Sequence, residues 1–216
     1  MTVSSEPLKS PKLRLAILLL AAGEGSRLGG HPKALLKKEG NSLLKRFIHS
    51  IEKLHSIETL IVTGFYCQEV ESEIISLQKE AQGPLAWIRN PNPEAGQSSS
   101  VRLGLESLKS NYDALLVALC DQPNLGAPEI EALLEQFNQR SANQEIILPM
   151  INGQRGNPVL FSKEVIETVL AIPGMVCRPF LDQHPELVKT FTSNNQAYLQ
   201  DVDTQSDIQK LGLDCI

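Results

Sequence analysis

Leu15-Ala16-Ile17-Leu18-Leu19-Leu20-Ala21-Ala22-Gly23-Glu24-Gly25-Ser26-Arg27-Leu28-Gly29-Gly30-His31-Pro32-Lys33 is the most informative segment of this 216-residue chain. Its apolar run, Leu15 to Ala22, is too short to span a bilayer and marginal for the apolar region of a signal peptide. A continuous apolar run of this length, closed by glycines, reads as a strand buried on both faces. The glycines let backbone approach a ligand closely, and consecutive N–H groups in such a turn form an anion-binding concavity. Arg27 and Lys33 add positive charge, the first as a planar fork for phosphate oxygens and the second as a movable point charge. Two common phosphate loops do not fit. No Gly-Lys pair supplies GxxxxGK[ST], and Leu28 stands where GxGxxG needs its third glycine after Gly23 and Gly25.

On either side of this loop, short apolar runs alternate with amphipathic stretches. The pattern predicts an α/β fold: a Rossmann-like, mostly parallel sheet with helices on both faces. Strands are expected at 13–22, 59–64, 85–89, 114–120 and 145–149, and helices at 42–54, 68–81, 98–108 and 127–139. After Pro149 the rhythm changes. A Gly-rich turn at 152–156, a strand near 158–161, two helices and a strand near 197–202 read as a C-terminal lid region built on the main sheet. Residues 1–12, rich in Ser, Pro and Lys, read as a flexible tail, and 13–216 as one domain. In such sheets ligands bind outside the carboxyl ends of the strands, which directs attention to the loops after Ala22, Arg89, Cys120 and Val202.

Charge is divided along the chain. The net value is −5, which argues against a general binder of nucleic acid or membrane surfaces. Residues 13–55 carry +5 and residues 113–216 carry −8, so an anion is expected at one end and a cation at the other. Asp121 follows an apolar strand, and Pro123 ends that strand with the carboxylate at the sheet's edge. Asp201-Val202-Asp203-Thr204 alternates, so both carboxylates of an extended segment can face one cavity. One Asp from each segment suits Mg²⁺, which takes one or two protein carboxylates together with substrate phosphates. Cys67, Cys120, Cys177 and Cys215 lack CxxC spacing and the four histidines supply no zinc pattern, so free thiols and a cytoplasmic location are expected. The turn-rich Asn90-Pro91-Asn92-Pro93-Glu94-Ala95-Gly96-Gln97 runs into Ser98-Ser99-Ser100, whose hydroxyls and exposed N–H groups suit an anion or a base edge.

Ala-Ala-Gly-x-Gly-Ser-Arg-Leu-Gly-x-x-Pro-Lys after the first strand resembles the signature of the MobA-like NTP transferases. The order Gly-x-Ser-Ser-Ser-x-Arg-x-Gly-Leu, Asp-Gln-Pro and Arg155-Gly156-Asn157-Pro158 is similar to the molybdenum cofactor cytidylyltransferases, from Leu15 to Leu211. The resemblance implies a nucleotide-diphospho-sugar transferase-like fold and transfer of CMP from CTP to a phosphorylated acceptor, molybdopterin, with release of pyrophosphate. It assigns Leu20, Ala21, Ala22, Gly23, Gly25, Ser26, Ser98, Ser99, Ser100 and Arg102 to the nucleotide, and Arg27 and Lys33 to its phosphates. Asp121 and Asp203 fall to Mg²⁺, with Asp201 beside them. Arg27, Lys33 and Asp121 are the implied catalytic set, and Gln122, Arg155, Gly156 and Asn157 the acceptor contacts. Transient contact with a molybdenum enzyme is implied as well. The chain departs from the cytidylyl pattern at Leu28, where a second Arg is usual, at Asn157, where His is usual, and at Gln205, where Pro is usual. A guanylyltransferase or other NTP transferase, a dinucleotide-dependent oxidoreductase and a non-catalytic cofactor-binding module are the competing readings.

Overall fold

The structure, a computed structural model, describes residues 13–215; the segment read as a tail, 1–12, lies outside the described residues. At the centre stands β1 (Leu15–Ala21), all of whose residues are buried. It is paired in parallel with β4 (Glu58–Thr63) on one side and β6 (Ala114–Leu119) on the other. Beyond β4 lies β5 (Leu85–Arg89), also parallel. Beyond β6 lie β9 (Val159–Ser162), antiparallel to its neighbours, then β7 (Ile146–Ile151), and β10 (Val188–Thr192), parallel to β7. Two short pairings complete the strands: β8 (Gln154–Arg155) folds back on β7, and β2 (Lys37–Lys38) pairs with β3 (Asn41–Ser42).

Alternation along β1 distributes the core over two layers. Leu15, Ile17, Leu19 and Ala21 pack against α1 (Leu43–Ile51), α2 (Cys67–Gln78) and α4 (Ala127–Asn138). Ala16, Leu18 and Leu20 point the other way, onto α3 (Gln97–Ser107), α5 (Lys163–Ala171) and α6 (Cys177–Gln183). Helices therefore cover both faces, as the continuous apolar strands require. Gly104 lets α3 lie close to the sheet, because a Cβ there would come within 2.5 Å of Leu18 Cδ1. A third, smaller cluster joins Leu28, Leu36 and Leu43 to Val202, Ile208 and Leu213, so that α7 (Gln205–Leu211) is packed against the first loop.

The segment after Pro149, expected as a lid region built on the main sheet, is joined to that sheet by strand pairing. β7, β9 and β10 are hydrogen-bonded into the same sheet as β1. The last sheet strand is 188–192 and not 197–202: Gln196–Tyr198 is a 3₁₀ turn. Val188-Lys-Thr-Phe-Thr runs along an edge and stays partly exposed, so it lacks a buried strand's apolar run. Tyr198 is instead buried in the core cluster on the α1, α2 and α4 face, and Val202 in the cluster with Leu28 and Ile208.

Candidate active site

Chain segments leaving the carboxyl ends of β1, β4, β5 and β6 wall a cleft of about 470 Å³. Leu20, Ala21, Ala22 and Gly23 form its floor, and Lys33 enters from the far end of the same loop. The loop's tight path depends on Gly25, which has φ +61°; a Cβ there would also run into the His31 carbonyl oxygen. The Gly25 carbonyl accepts from Leu28 N–H at 2.8 Å, closing the turn. Leu28, in place of an arginine, is fully buried, and its carbonyl accepts from Gln205 Nε2 at 3.0 Å. Two departures from the cytidylyl pattern thus meet, tying the glycine-rich loop to α7.

Asp121 lies one residue beyond Cys120 at the end of β6, and its carbonyl accepts from Val202 N–H at 3.0 Å. That bond draws the extended 201–203 segment alongside the strand end. Val202 is buried while Asp201 and Asp203 line the cleft, so the alternation expected of this segment holds although it forms no strand. Below it, Thr204 caps α7 and the Asp207 carboxylate accepts from Asp203 N–H and Thr204 N–H, fixing the backbone that carries Asp203.

Lys33 joins the two acidic segments. Its Nζ donates to Asp121 Oδ2 at 2.8 Å and to Asp203 Oδ1 at 2.5 Å. Burial opposes the charge on Lys33, but Asp121 and then Asp203 outweigh it and hold the ammonium's pKa above the ordinary lysine value. Asp201 shows the opposite balance: burial, followed by the charges of Asp121 and Asp203, holds its carboxyl above the ordinary range. Asp121 Oδ1 is buried without a hydrogen-bond partner. A buried carboxylate oxygen without a partner is costly, and a hard cation with oxygen ligands would satisfy it. The donor set therefore fits Mg²⁺. Among the described residues no group of three or more His, Cys, Asp and Glu could by itself hold a metal ion. Cys120 also lines the cleft; it is buried, and burial and then the Asp121 charge raise its thiol above the ordinary cysteine value.

The remaining sequence-predicted residues divide. Ser100 lines the cleft and its Oγ accepts from Asn90 Nδ2 at 2.9 Å. Ser99 accepts from the same amide and donates to the Gly96 carbonyl, so it shapes the start of α3 without lining the cleft. Ser98 and Ser26 lie outside the lining, as does Arg27, an exposed side chain on the loop's outer turn. Arg102 is a correction. Its guanidinium donates to the carbonyls of Val169, Leu170, Ile172 and Met175 and pairs with Glu106, so it satisfies the end of α5.

The expected acceptor contacts also lie away from the lining. Gln122 is buried and its Nε2 donates to the Tyr198 carbonyl at 3.1 Å. A Cβ on Gly156 would come within 2.8 Å of the same oxygen, and Asn157 N–H donates to it at 2.8 Å. Arg155 pairs with Asp182 on the surface. Gln122, Gly156 and Asn157 thus meet at the Tyr198 carbonyl. The turn after β4, with Phe65 and Tyr66, also lines the cleft, although no motif in the sequence marks it. Its signal is a lone glycine, Gly64, where a Cβ would come within 2.9 Å of Ala22.

A glycine-rich loop at the carboxyl end of a central parallel strand, facing two carboxylate segments across a lysine, defines a nucleotidyltransferase of the nucleotide-diphospho-sugar transferase fold. The chain belongs to the MobA-like NTP transferase family, whose domain profile matches residues 17–187. It is 30% identical over 210 residues to Nicotine blue oxidoreductase of Paenarthrobacter nicotinovorans, covering 90% of this chain and 94% of that protein. It is 27% identical over 143 residues to Bifunctional protein GlmU of Mycobacterium ulcerans, covering 65% of this chain but 29% of that longer protein. Rv0371c of Mycobacterium tuberculosis superposes with a TM-score of 0.72 at 18% identity, over 92% of this chain and 97% of that one. CMP:2-keto-3-deoxy-manno-octonic acid synthetase, solved with CTP, superposes with a TM-score of 0.67 at 14% identity, over 92% and 96%. Among the described residues, no helix is long and apolar enough to cross a membrane.

Proposed function

We propose that the chain transfers CMP from CTP to a phosphorylated small-molecule acceptor, which its motifs match to molybdopterin, with Mg²⁺ and release of pyrophosphate. The observation that carries this reading is the meeting of Lys33 with Asp121 and Asp203 at the mouth of the glycine-rich loop. An acceptor phosphate oxygen attacks the α-phosphorus of CTP. The bond from that phosphorus to the bridging oxygen breaks, and its electron pair leaves with pyrophosphate. The attacking oxygen is already anionic, so no protein base is needed, and no histidine lines the cleft among the described residues. Mg²⁺ held by Asp121 and Asp203 would neutralise charge on the phosphates. The loop N–H groups orient the triphosphate, Lys33 offsets the charge developing on pyrophosphate, Arg27 would have to swing in from the loop's outer turn to join it, and Ser100 faces the nucleoside. The serine run, Asp-Gln-Pro and the CTP complex of a protein with this fold support CTP as donor. The motif resemblance supports molybdopterin, a cytoplasmic setting and hand-over to a molybdenum enzyme.

A second reading has one observation in its favour, the 30% identity to a protein named as an oxidoreductase. Nucleotidyl transfer calls for positive charge at the phosphates and carboxylates for a metal, which Lys33, Asp121 and Asp203 supply together. The two readings are separated by assaying pyrophosphate release from CTP with molybdopterin and, in parallel, oxidation of a reduced nicotinamide cofactor. The proposal expects release that falls by about 10²–10³ in Asp121→Asn and in Lys33→Ala. Cofactor oxidation without pyrophosphate release would instead establish the oxidoreductase.

A further inference from the structure

Lys33 does more in this structure than await a phosphate. Its Nζ lies 2.8 Å from Asp121 Oδ2 and 2.5 Å from Asp203 Oδ1, bridging the two side chains that suit a divalent cation. Lys33 and Asp121 are largely buried, with side-chain exposures of 19% and 18%, while Asp203 is 45% exposed. Without a cation between them, these carboxylates would face one another and Asp201 in a partly desolvated cleft, and like charges there repel strongly. The ammonium relieves that repulsion, and while it does so it takes the oxygens that a metal would use.

Resting on the nucleotidyltransferase reading, we infer that Lys33 is a resident stand-in for the metal, holding the seat between Asp121 and Asp203 until a triphosphate draws it away. Lysine suits the task because a compact charge on a flexible four-carbon stem can move between partners, which a rigid guanidinium fork does less readily. Both partners are within the reach of one side chain: Lys33 lines the same cleft as Gly23 and Ala22, where the phosphates would lie. The consequence is an order of binding. A divalent cation enters with the nucleotide, not ahead of it, and the site is kept assembled while empty of substrate.

The test titrates Mn²⁺ into the protein, following bound metal by electron paramagnetic resonance and folding by thermal denaturation. Without nucleotide, wild type should bind Mn²⁺ at least about tenfold more weakly than Lys33→Met, which exposes both carboxylates to the metal. Addition of a non-hydrolysable CTP analogue should tighten Mn²⁺ binding in wild type far more than in Lys33→Met. Equal Mn²⁺ affinity of the two nucleotide-free proteins would overturn the inference. If Lys33→Met fails to fold, wild type alone still decides: Mn²⁺ without nucleotide should leave its melting temperature unchanged, and a clear rise would contradict the stand-in role. Failure of the function reading looks different, because the CTP analogue would then bind neither protein while the nucleotide-free comparison still reports on Lys33.

Discussion

Lys33, Asp121 and Asp203 come together from positions 88 and 170 residues apart, and each could be picked out in the sequence for a chemical reason. A lysine ending a glycine-rich loop, a carboxylate just past a buried strand and an alternating Asp-x-Asp have few better uses than phosphate and metal. Arg102, Gln122 and Gly156 were equally conspicuous in motifs but serve the framework. A polar side chain that caps a helix or ties down a carbonyl has the same one-letter identity as one that meets a ligand, and only its partners tell them apart. Arg102→Ala should therefore act on stability, by about 1–3 kcal/mol from the carbonyls it leaves unpaired, with the KM for nucleotide changed less than twofold. Chemical denaturation alongside steady-state kinetics checks this, and a large KM effect without loss of stability would restore Arg102 to the site. Gly25→Ala should act on both, because it forces a left-handed backbone and a clash with the His31 carbonyl into the loop that carries Lys33: nucleotide binding weakens in calorimetry and the melting temperature falls in circular dichroism.

Among the secondary-structure elements, buried strands are the most legible, since β1 and β6 are continuous apolar runs and β4 centres on Leu60-Ile61-Val62, which a two-sided sheet buries. β10 gives no such signal, because an edge strand needs no apolar run. The close packing of α3 is not signalled either, since Gly104 reads in sequence only as a weak helix residue. In the structure it faces Leu18 and Val62, so Gly104→Ala should destabilise by about 1–3 kcal/mol even though alanine favours helix. Urea unfolding would show this as a lower midpoint with an unchanged slope. Where β1 and β6 begin, the Asp113 carboxylate accepts from the Arg14 side chain and Arg14 N–H, and chiefly the side-chain bonds hold its carboxyl below the usual range. A depressed carboxyl stabilises the fold above the unfolded value of about 3.9 and loses that contribution as pH falls through the folded one. The melting-temperature gap between wild type and Asp113→Asn should accordingly be present at pH 7 and shrink on acidification below about pH 4.

Across the whole molecule, the unequal charge of the two halves acquires a location. The basic first quarter brings Lys33 to the cleft, and the acidic second half brings Asp121, Asp201 and Asp203 to meet it. The sheet continues from β5 to β10, so these halves are joined by strand pairing, and α7 is packed on the loop that it faces. The most direct measurement is a thermal-shift series with CTP, GTP, ATP, UTP and NAD, each with and without Mg²⁺. A ligand at about 100 times its Kd stabilises by roughly 2.7 kcal/mol, well within reach of the method. The account predicts a rise with CTP that requires Mg²⁺ and is lost in Asp121→Asn; a rise with NAD alone, or one with CTP that ignores both Mg²⁺ and Asp121, would contradict it.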